Sequence, residues 1–254
     1  MKRRTSLGDG MIRIYREDCF DWVPENVKKG TVPLIITDPP YGAILKNKWD
    51  QEWTIGDQWK LTRLLDYLLM PGGTAYIWGG IGRPGNRLFF RWLSLLEKKF
   101  PSLTLYNLIT WRKKRAYGKK DDFLFTREEC AMIVKGQKPK TFHIPLLDEK
   151  RGYAGFNSLY PAKSEFLRRT NVWTDITELF RGKIHDAEKP SRLAEVMIET
   201  SSNEGDTVFD LFAGSGSTGV AALNTHRNAV LIEKSDCKMH VKHGETYGLR
   251  GVAE

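Results

Sequence analysis

Two short stretches carry side chains that could do chemistry together. The first is Thr37-Asp38-Pro39-Pro40-Tyr41-Gly42, which follows an apolar run from Val32 to Ile36. Asp38 offers a carboxylate and Pro39 a main-chain carbonyl. Both are acceptors, and neither proline has an N–H to compete with them. Two neighbouring acceptors suit the two protons of a planar amino group whose lone pair is delocalised into its ring. Holding both protons draws that nitrogen toward tetrahedral geometry and makes it a nucleophile. Tyr41 supplies a face for a planar ring to stack on. An Asp-Pro turn is common by itself. At the end of a buried strand, Asp38, Pro39, Pro40 and Tyr41 form a candidate catalytic corner.

The second stretch runs from Asp210 to Gly219 and contains Phe212, Gly214, Ser215, Gly216, Ser217 and Thr218. Its glycines match G-x-G-x-x-G, follow an apolar strand and open a helix. Glu233 closes the next strand about 20 residues on, where an acidic side chain can take two ribose hydroxyls. Alone, this fits a dinucleotide site. However, Asp210 precedes the glycines, where it would repel a pyrophosphate and welcome a cationic amino-acid group. Hydride transfer also has no use for the Asp38 corner.

Alternating strands and helices must position these groups. The pattern predicts strands at residues 11–16, 33–37, 74–78, 105–111, 131–134, 207–212 and 229–233. It predicts helices at 59–70 (stopped by Pro71-Gly72-Gly73), 86–99, 189–200 and 217–224. Such alternation argues for an α/β fold with a mainly parallel, doubly wound sheet. Between Gly136 and Arg181 the pattern dissolves into Pro, Gly, aromatic and basic residues. That region reads as an insertion, at about 136–184, rather than a layer of the sheet. At 254 residues the chain is expected to be a single domain.

Composition narrows the partners. The net charge is +9, and between Asn107 and Arg169 fifteen Lys and Arg face seven Asp and Glu. Basic density interleaved with aromatics is the electrostatic footprint of a polyanion. Arg112, Lys113, Lys114, Arg115, Lys119 and Lys120 are its densest run. No apolar run approaches the ~20 residues that would cross a bilayer, and the N-terminus lacks the apolar core of a signal peptide. Cys19, Cys130 and Cys237 are too scattered for a disulfide framework, which suggests reduced thiols and a cytoplasmic setting. Cys237, His240 and His243 lack a fourth ligand, so no metal is expected.

Together the motifs resemble the β group of DNA amino-methyltransferases, in which the catalytic motif comes first, recognition residues next and the cofactor loop last. The resemblance covers nearly the whole chain. It implies a Rossmann-like S-adenosylmethionine methyltransferase fold in permuted order, with residues 136–184 as the target-recognition region. Arg16-Glu17-Asp18-Cys19 is similar to the family element whose aspartate contacts the cofactor's adenine, which implies that role for Asp18. His185-Asp-Ala-Glu-Lys189-Pro190 is similar to the element before the cofactor loop, which implies that Lys189 helps hold the methionine end. Asn107 to Trp111 with Lys113, Thr126-Arg127-Glu128-Glu129 and Asn171-Val172-Trp173 resemble the target-side elements.

The implied reaction moves a methyl group from S-adenosylmethionine to an amino nitrogen of DNA. Within the family, Asp at the first motif position goes more often with adenine N6 and Ser with cytosine N4. Adenine is therefore favoured and cytosine N4 is the alternative; a non-catalytic DNA-binding subunit of the same fold ranks below both. DNA is the expected partner, a second copy and a companion restriction nuclease are admitted, and no membrane is involved. Neutralising Arg112, Lys113, Lys114 and Arg115 together should weaken DNA binding and leave cofactor affinity unchanged. Each lost phosphate contact should lower the log–log salt slope by about 0.9, as read by binding titrations at several salt concentrations; an unchanged slope would make the run a solvated surface.

Overall fold

The computed structural model describes residues 11–42, 52–80, 87–118, 120–121, 123–150, 166–178, 188–235, 239–240 and 246–247. Its centre is a sheet built from β1 (Ile12–Tyr15), β2 (Val32–Thr37), β3 (Leu69–Gly79), β4 (Leu103–Tyr117), β5 (Phe125–Lys135), β8 (Val172–Trp173), β9 (Thr207–Asp210) and β10 (Asn228–Ile232). The strand order is β1-β10-β9-β2-β3-β5-β4-β8. Five of these strands, from β1 across to β3, run parallel. β5 is antiparallel to both neighbours, and β8 is parallel to β4. The mainly parallel α/β sheet expected from the alternation is present.

Period-two alternation divides the strand residues between two cores. Leu34, Ile36, Tyr76, Trp78, Met132 and Val134 pack on one face. They meet helices α5 (Ser191–Ser201) and α6 (Ser217–Asn224) through Leu193, Met197 and Ala221. Ile35, Ala75, Ile77, Ala131 and Ile133 pack on the other face. There they meet α1 (Cys19–Asn26), α2 (Ile55–Leu68), α3 (Leu88–Leu93) and α4 (Leu96–Lys99). Strands covered on both faces read as continuous apolar runs, and β2 and β10 do. Among the described residues no helix is long and apolar enough to cross a membrane.

Connectivity then selects the working edge. From β2 the chain moves to β3 on one side, and from β9 it moves to β10 on the other, so β2 and β9 flank the point where winding reverses. Open α/β sheets bind ligands beyond the carboxyl ends of strands at such a point. Asp38 follows the end of β2, and Asp210 closes β9.

Local chemistry accounts for the departures from expectation. α2 begins at Ile55, before the expected residue 59, because Thr54 and Asp57 form a reciprocal capping box. It ends at Leu68, and Pro71-Gly72-Gly73 lies within β3, where the register against β2 shifts between Val32 and Leu34. A Cβ at Gly73 would stand 2.9 Å from the carbonyl oxygens of Met70 and Val32, so only glycine fits this crowded irregularity. The expected helix at 86–99 is two short helices, broken where Ser94 Oγ donates to the Arg91 carbonyl. α1 was not anticipated, since Pro24 sits inside it; Asp18 caps it by accepting from Phe20 N at 2.9 Å.

The expectation that 136–184 lies outside the sheet needs correction. β8 pairs with β4 at Thr110 and Trp111. It is drawn there because Trp173 is buried and Asn171 Nδ2 donates to the Leu108 carbonyl at 3.1 Å. The separate pair β6 (Leu146–Lys150) and β7 (Phe166–Arg168) does stand apart from the main sheet. Residues 151–165 and 179–184 lie outside the described residues. Met239–His240 (β11) and Thr246–Tyr247 (β12) form a further small antiparallel pair.

Gly79 ends β3 directly beneath Phe89, and a Cβ there would stand 2.0 Å from the ring. Because Phe89 is itself buried, Gly79→Ala should destabilise the fold by about 1–3 kcal/mol, as overpacking typically does. Urea denaturation checks this; an unchanged midpoint would mean that α3 shifts freely.

Candidate active site

The turn after β2 brings Asp38 and Tyr41 onto the face covered by α5 and α6, beside Trp78 of β3. Tyr41 Oη donates to Asp38 Oδ1 at 2.7 Å. Lys189, just ahead of α5, places Nζ against Asp38 Oδ2, 2.9 Å from Tyr41 Oη and 3.1 Å from Glu128 Oε2. A lysine ammonium has three donors, and three acceptors surround this one. Its charge also lies 5.2 Å from the centre of the Trp78 ring and 5.4 Å from that of Tyr41. On β5, Glu128 stands opposite Trp111 and receives Lys113 Nζ on its other oxygen. Two carboxylates, two ammonium groups and a phenol thus share one partly buried cluster.

Burial and charge set the protonation of its members. Burial alone would raise the Glu128 carboxyl, but the charges of Lys189 and Lys113 win and hold it at about 2. Lys189 is opposed by burial, yet Asp38 and Glu128 raise its pKa and keep it protonated. Burial pushes the Asp38 carboxyl upward; Lys189 opposes this, and Glu128 adds to it. Burial, with Asp38 and Glu128 adding to it, holds the Tyr41 hydroxyl well above its ordinary value, so it stays a donor. An ionised carboxylate has roughly four acceptor positions, which leaves Asp38 capacity for a further donor.

A second set of groups lies across the reversal point. Asp210 is buried, and its carboxylate is fully turned into the protein. Oδ1 accepts from Thr37 Oγ1 at 2.9 Å and Phe212 N at 3.1 Å, while Oδ2 accepts from Thr218 Oγ1 at 2.6 Å. Burial pushes its carboxyl up to about 6 in spite of these donors. The expectation that Asp210 presents open charge to a ligand therefore changes: the side chain braces β2, β9 and the start of α6. Gly214 and Gly216 have φ of 52° and 81°, in the left-handed region that favours glycine. A Cβ at Gly214 would meet no atom within 4 Å, so the space before this turn is open to a ligand.

Glu233 Oε2 accepts from Gly214 N at 2.8 Å, and Oε1 accepts from Ser235 N at 3.0 Å. Asp18 lies nearby, because Glu17 N donates to the Glu233 carbonyl at 3.1 Å. Lys234 Nζ reaches Asp18 Oδ2 at 3.1 Å. Phe212, Phe20 and Trp53 form an aromatic group, with Trp53 edge-on to Phe212 at 5.4 Å and stacked with Phe20 at 6.3 Å. Ser215 is buried within the turn, and Ser217 opens α6.

The anticipated residues that are described fall into two adjoining groups and an arm. Asp38, Pro39, Pro40 and Tyr41 form one turn; Asp18, Phe212, Gly214 to Thr218 and Glu233 gather at the adjoining strand ends. Lys189 sits with Asp38 and Glu128, its two carboxylate partners. Arg112, Lys114, Arg115 and Lys120 are exposed on the β4 arm or its tip, whereas Lys113 turns inward onto Glu128. Lys119, Cys237 and His243 lie outside the described residues, and among those described no group of three His, Cys, Asp or Glu could hold a metal. Glu128 was quoted in a motif but not assigned to the site. Its signal was an acidic residue at the mouth of the buried Cys130–Val134 run.

The family model described as DNA methylase, of the N6 and N4 type, matches residues 32–241. The chain belongs to that family. As a DNA methylase it uses S-adenosylmethionine to methylate an amino group in DNA. The Type II methyltransferase M.HpaI of Haemophilus parainfluenzae is 27% identical over 226 residues, covering 82% of this chain and 66% of that protein. The solved complex of M1.HpyAVI with SAM is 23% identical, covers 89% of this chain and 94% of the other, and has a TM-score of 0.57. The PvuII DNA methyltransferase, described as cytosine-N4-specific, is 18% identical, with coverages of 89% and 83% and a TM-score of 0.68. The last two establish likeness of fold.

The Glu128 carboxyl, held at about 2 in the folded methylase against an ordinary value near 4.5, gives a pH signature. A depressed folded-state pKa contributes stability above the unfolded value and loses it as pH falls through the folded one. The stability difference between wild type and Glu128→Gln should therefore favour wild type near neutral pH and shrink as pH drops from about 4.5 toward about 2. Denaturation at stepped pH measures it; a difference that is flat with pH would mean Glu128 is not paired in solution.

Proposed function

We propose that this methylase acts on the N6 amine of adenine in duplex DNA, with Asp38 as the acceptor that activates the amine. The observation that carries this reading is a carboxylate at position 38, at the sheet's reversal point, held by Lys189 and Tyr41 with acceptor capacity remaining. Asp38 would accept a hydrogen bond from one amine N–H and the Pro39 carbonyl from the other. As the nitrogen gains positive charge, the interaction with Asp38 strengthens, which lowers the barrier rather than merely tightening binding. Tyr41, with Pro40 stiffening its turn, would present its ring to a base swung out of the duplex.

Lys189 and Glu128 act in this proposal as positioning residues. Lys189 fixes the Asp38 carboxylate and opposes its protonation in a setting where burial and the Glu128 charge favour the neutral acid, and Glu128 holds Lys189 in place. S-adenosylmethionine supplies an electrophilic methyl group on a sulfonium when bound. Its proposed holders are Asp18 for the adenine, Glu233 for the ribose hydroxyls, Phe212 and the turn from Gly214 to Thr218, with Asp210 bracing that turn. The open space before Gly214 and the acidic strand ends fit such a ligand. Arg112, Lys114, Arg115 and Lys120 would meet phosphates, and the irregular region 136–184 would take part in target recognition. A companion restriction nuclease belongs to the same proposal, since relatives are named Type II methyltransferases.

Cytosine N4 is the second reading, favoured by the description of the PvuII neighbour. Digestion of DNA methylated in vitro, with mass analysis of the nucleosides, separates the two. N6-methyladenine is expected, and N4-methylcytosine alone would overturn the adenine assignment. Asp38→Ala should lower turnover on the order of a hundredfold or more while S-adenosylmethionine still binds in calorimetry, and Asp38→Asn should fall between. Near wild-type transfer by Asp38→Ala would remove this corner from the chemistry.

A further inference from the structure

The arm formed by β4 and β5 ends in an apolar tip. Phe123 is 93% exposed, Leu124 56% and Phe125 41%. Exposed hydrophobics scattered singly need no explanation, but three consecutive ones at a projecting turn do. Thr37 is level with Ile77, Ile77 with Ala131 and Ala131 with Leu108, so the arm leaves the sheet at the height of the catalytic corner. It stays paired out to Tyr117 and Phe125. Counted along β5 from Ala131 to Phe125, it reaches roughly 20 Å beyond that edge at about 3.3 Å per residue.

The arm is also charged like a nucleic-acid contact. Between Arg112–Arg127 and Tyr117–Phe125 the register shifts, with more residues on β4 than on β5. The additional residues are basic, and their backbone is pinned: Lys114 N and Arg115 N donate to the Glu178 carboxylate at 2.8 and 2.7 Å. Arg112, Lys114, Arg115 and Lys120 are exposed along the arm, as is Asp121 in the turn. The major groove, about 12 Å wide and about 8.5 Å deep, admits a two-stranded ribbon. A reach of roughly 20 Å carries the tip through that depth to the stacked bases.

We propose that this arm enters a groove of duplex DNA and that Phe123, backed by Leu124, inserts as an apolar wedge into the base stack beside the target nucleotide. Phe and Leu are among the side chains that proteins use to pry base steps apart. A base must leave the stack before its amine can reach Asp38; a wedge from the same edge of the sheet would hold the stack open while it does. Leu124 has a second duty, for its Cδ2 would stand 2.9 Å from a Cβ at Gly118. It packs across the turn and stiffens the base of the wedge. The proposal rests on duplex DNA being the substrate and is independent of which base is methylated.

Phe123 is so exposed that replacing it leaves folding intact, and insertion has a readout separate from catalysis. Circular plasmid is relaxed by topoisomerase in the presence of the protein and S-adenosylhomocysteine, and its linking number is then measured. Wild type should shift the topoisomer distribution by unwinding. Phe123→Ser should lose most of that shift and lower methyl transfer to plasmid by about tenfold, the order expected for one lost stacking contact. The salt slope of DNA binding should stay unchanged, and Phe123→Trp should restore both effects. No shift with wild type, or an equal shift with Phe123→Ser, overturns the wedge. So does a Phe123→Ser protein that sediments as a different oligomer while unwinding plasmid normally, since the tip would then be a contact between copies. Unwinding without any methyl transfer by wild type would sustain the wedge and refute the catalytic reading instead.

Discussion

The buried carboxylate of Asp210 ties the two halves of the sheet together. Its acceptors collect Thr37 from β2, the backbone of Phe212 after β9 and Thr218 from the first turn of α6. A buried carboxylate is costly unless hydrogen-bonded, so the low-energy arrangement is the one in which all three donors converge. That convergence places the end of the catalytic strand beside the glycine turn. Backbone pairing of β2 with β9 is brief, at Leu34–Val208 and Ile35–Phe209. Side-chain hydrogen bonds supply the alignment where the ladder stops.

The charged cluster on the neighbouring face works by a different balance. Lys189 is shared by Asp38 and Glu128, and Lys113 anchors Glu128 from the far side. Opposite charges nearly cancel, so the group can lie against Trp78 and Trp111 without the penalty of an isolated buried ion. The two tryptophans meet edge to face at 6.1 Å, and Trp111 Nε1 donates to the Ile176 carbonyl at 2.8 Å. This aromatic wall fixes the lysines laterally and lowers the local dielectric, which makes each charge count for more.

Much of this was legible in the chain because it is locally encoded. An apolar run ending in Asp38-Pro39-Pro40-Tyr41 announces a strand and its turn, and Gly214 and Gly216 announce positive φ. The parallel sheet follows from alternation. What was not legible depends on pairing between distant segments. Glu128 enters the site only because β5 inverts beside β3. Lys189 joins the cluster only because the segment ahead of α5 meets both the turn after β2 and Glu128 of β5. Asp210 looked like a ligand contact until its donors were known, since Thr37 and Thr218 are unremarkable as residue types. Val172–Trp173 hides as a strand because a two-residue edge has no period to detect. Phe123-Leu124-Phe125 reads as an ordinary apolar stretch until the arm leaves it exposed.

The pairing of β1 with β10 has a consequence for how the molecule comes into being. Met11 N donates to the Asn228 side chain across 217 residues, and Tyr15 accepts from Glu233 N. Chains emerge from the ribosome in order, so β1 and the catalytic strand β2 are both made long before β9 and β10. Contacts of such long sequence separation form slowly. The nascent methylase therefore carries its completed catalytic turn on an unfinished sheet, with the strand edges of β1 and β2 open to water and to other chains. The Asp210 brace waits for β9 and α6, and the glycine turn gains its Glu233 acceptor only after β10. The catalytic turn is thus made well before the segments that the glycine turn depends on, and until those arrive the open strand edges are places where another chain could pair.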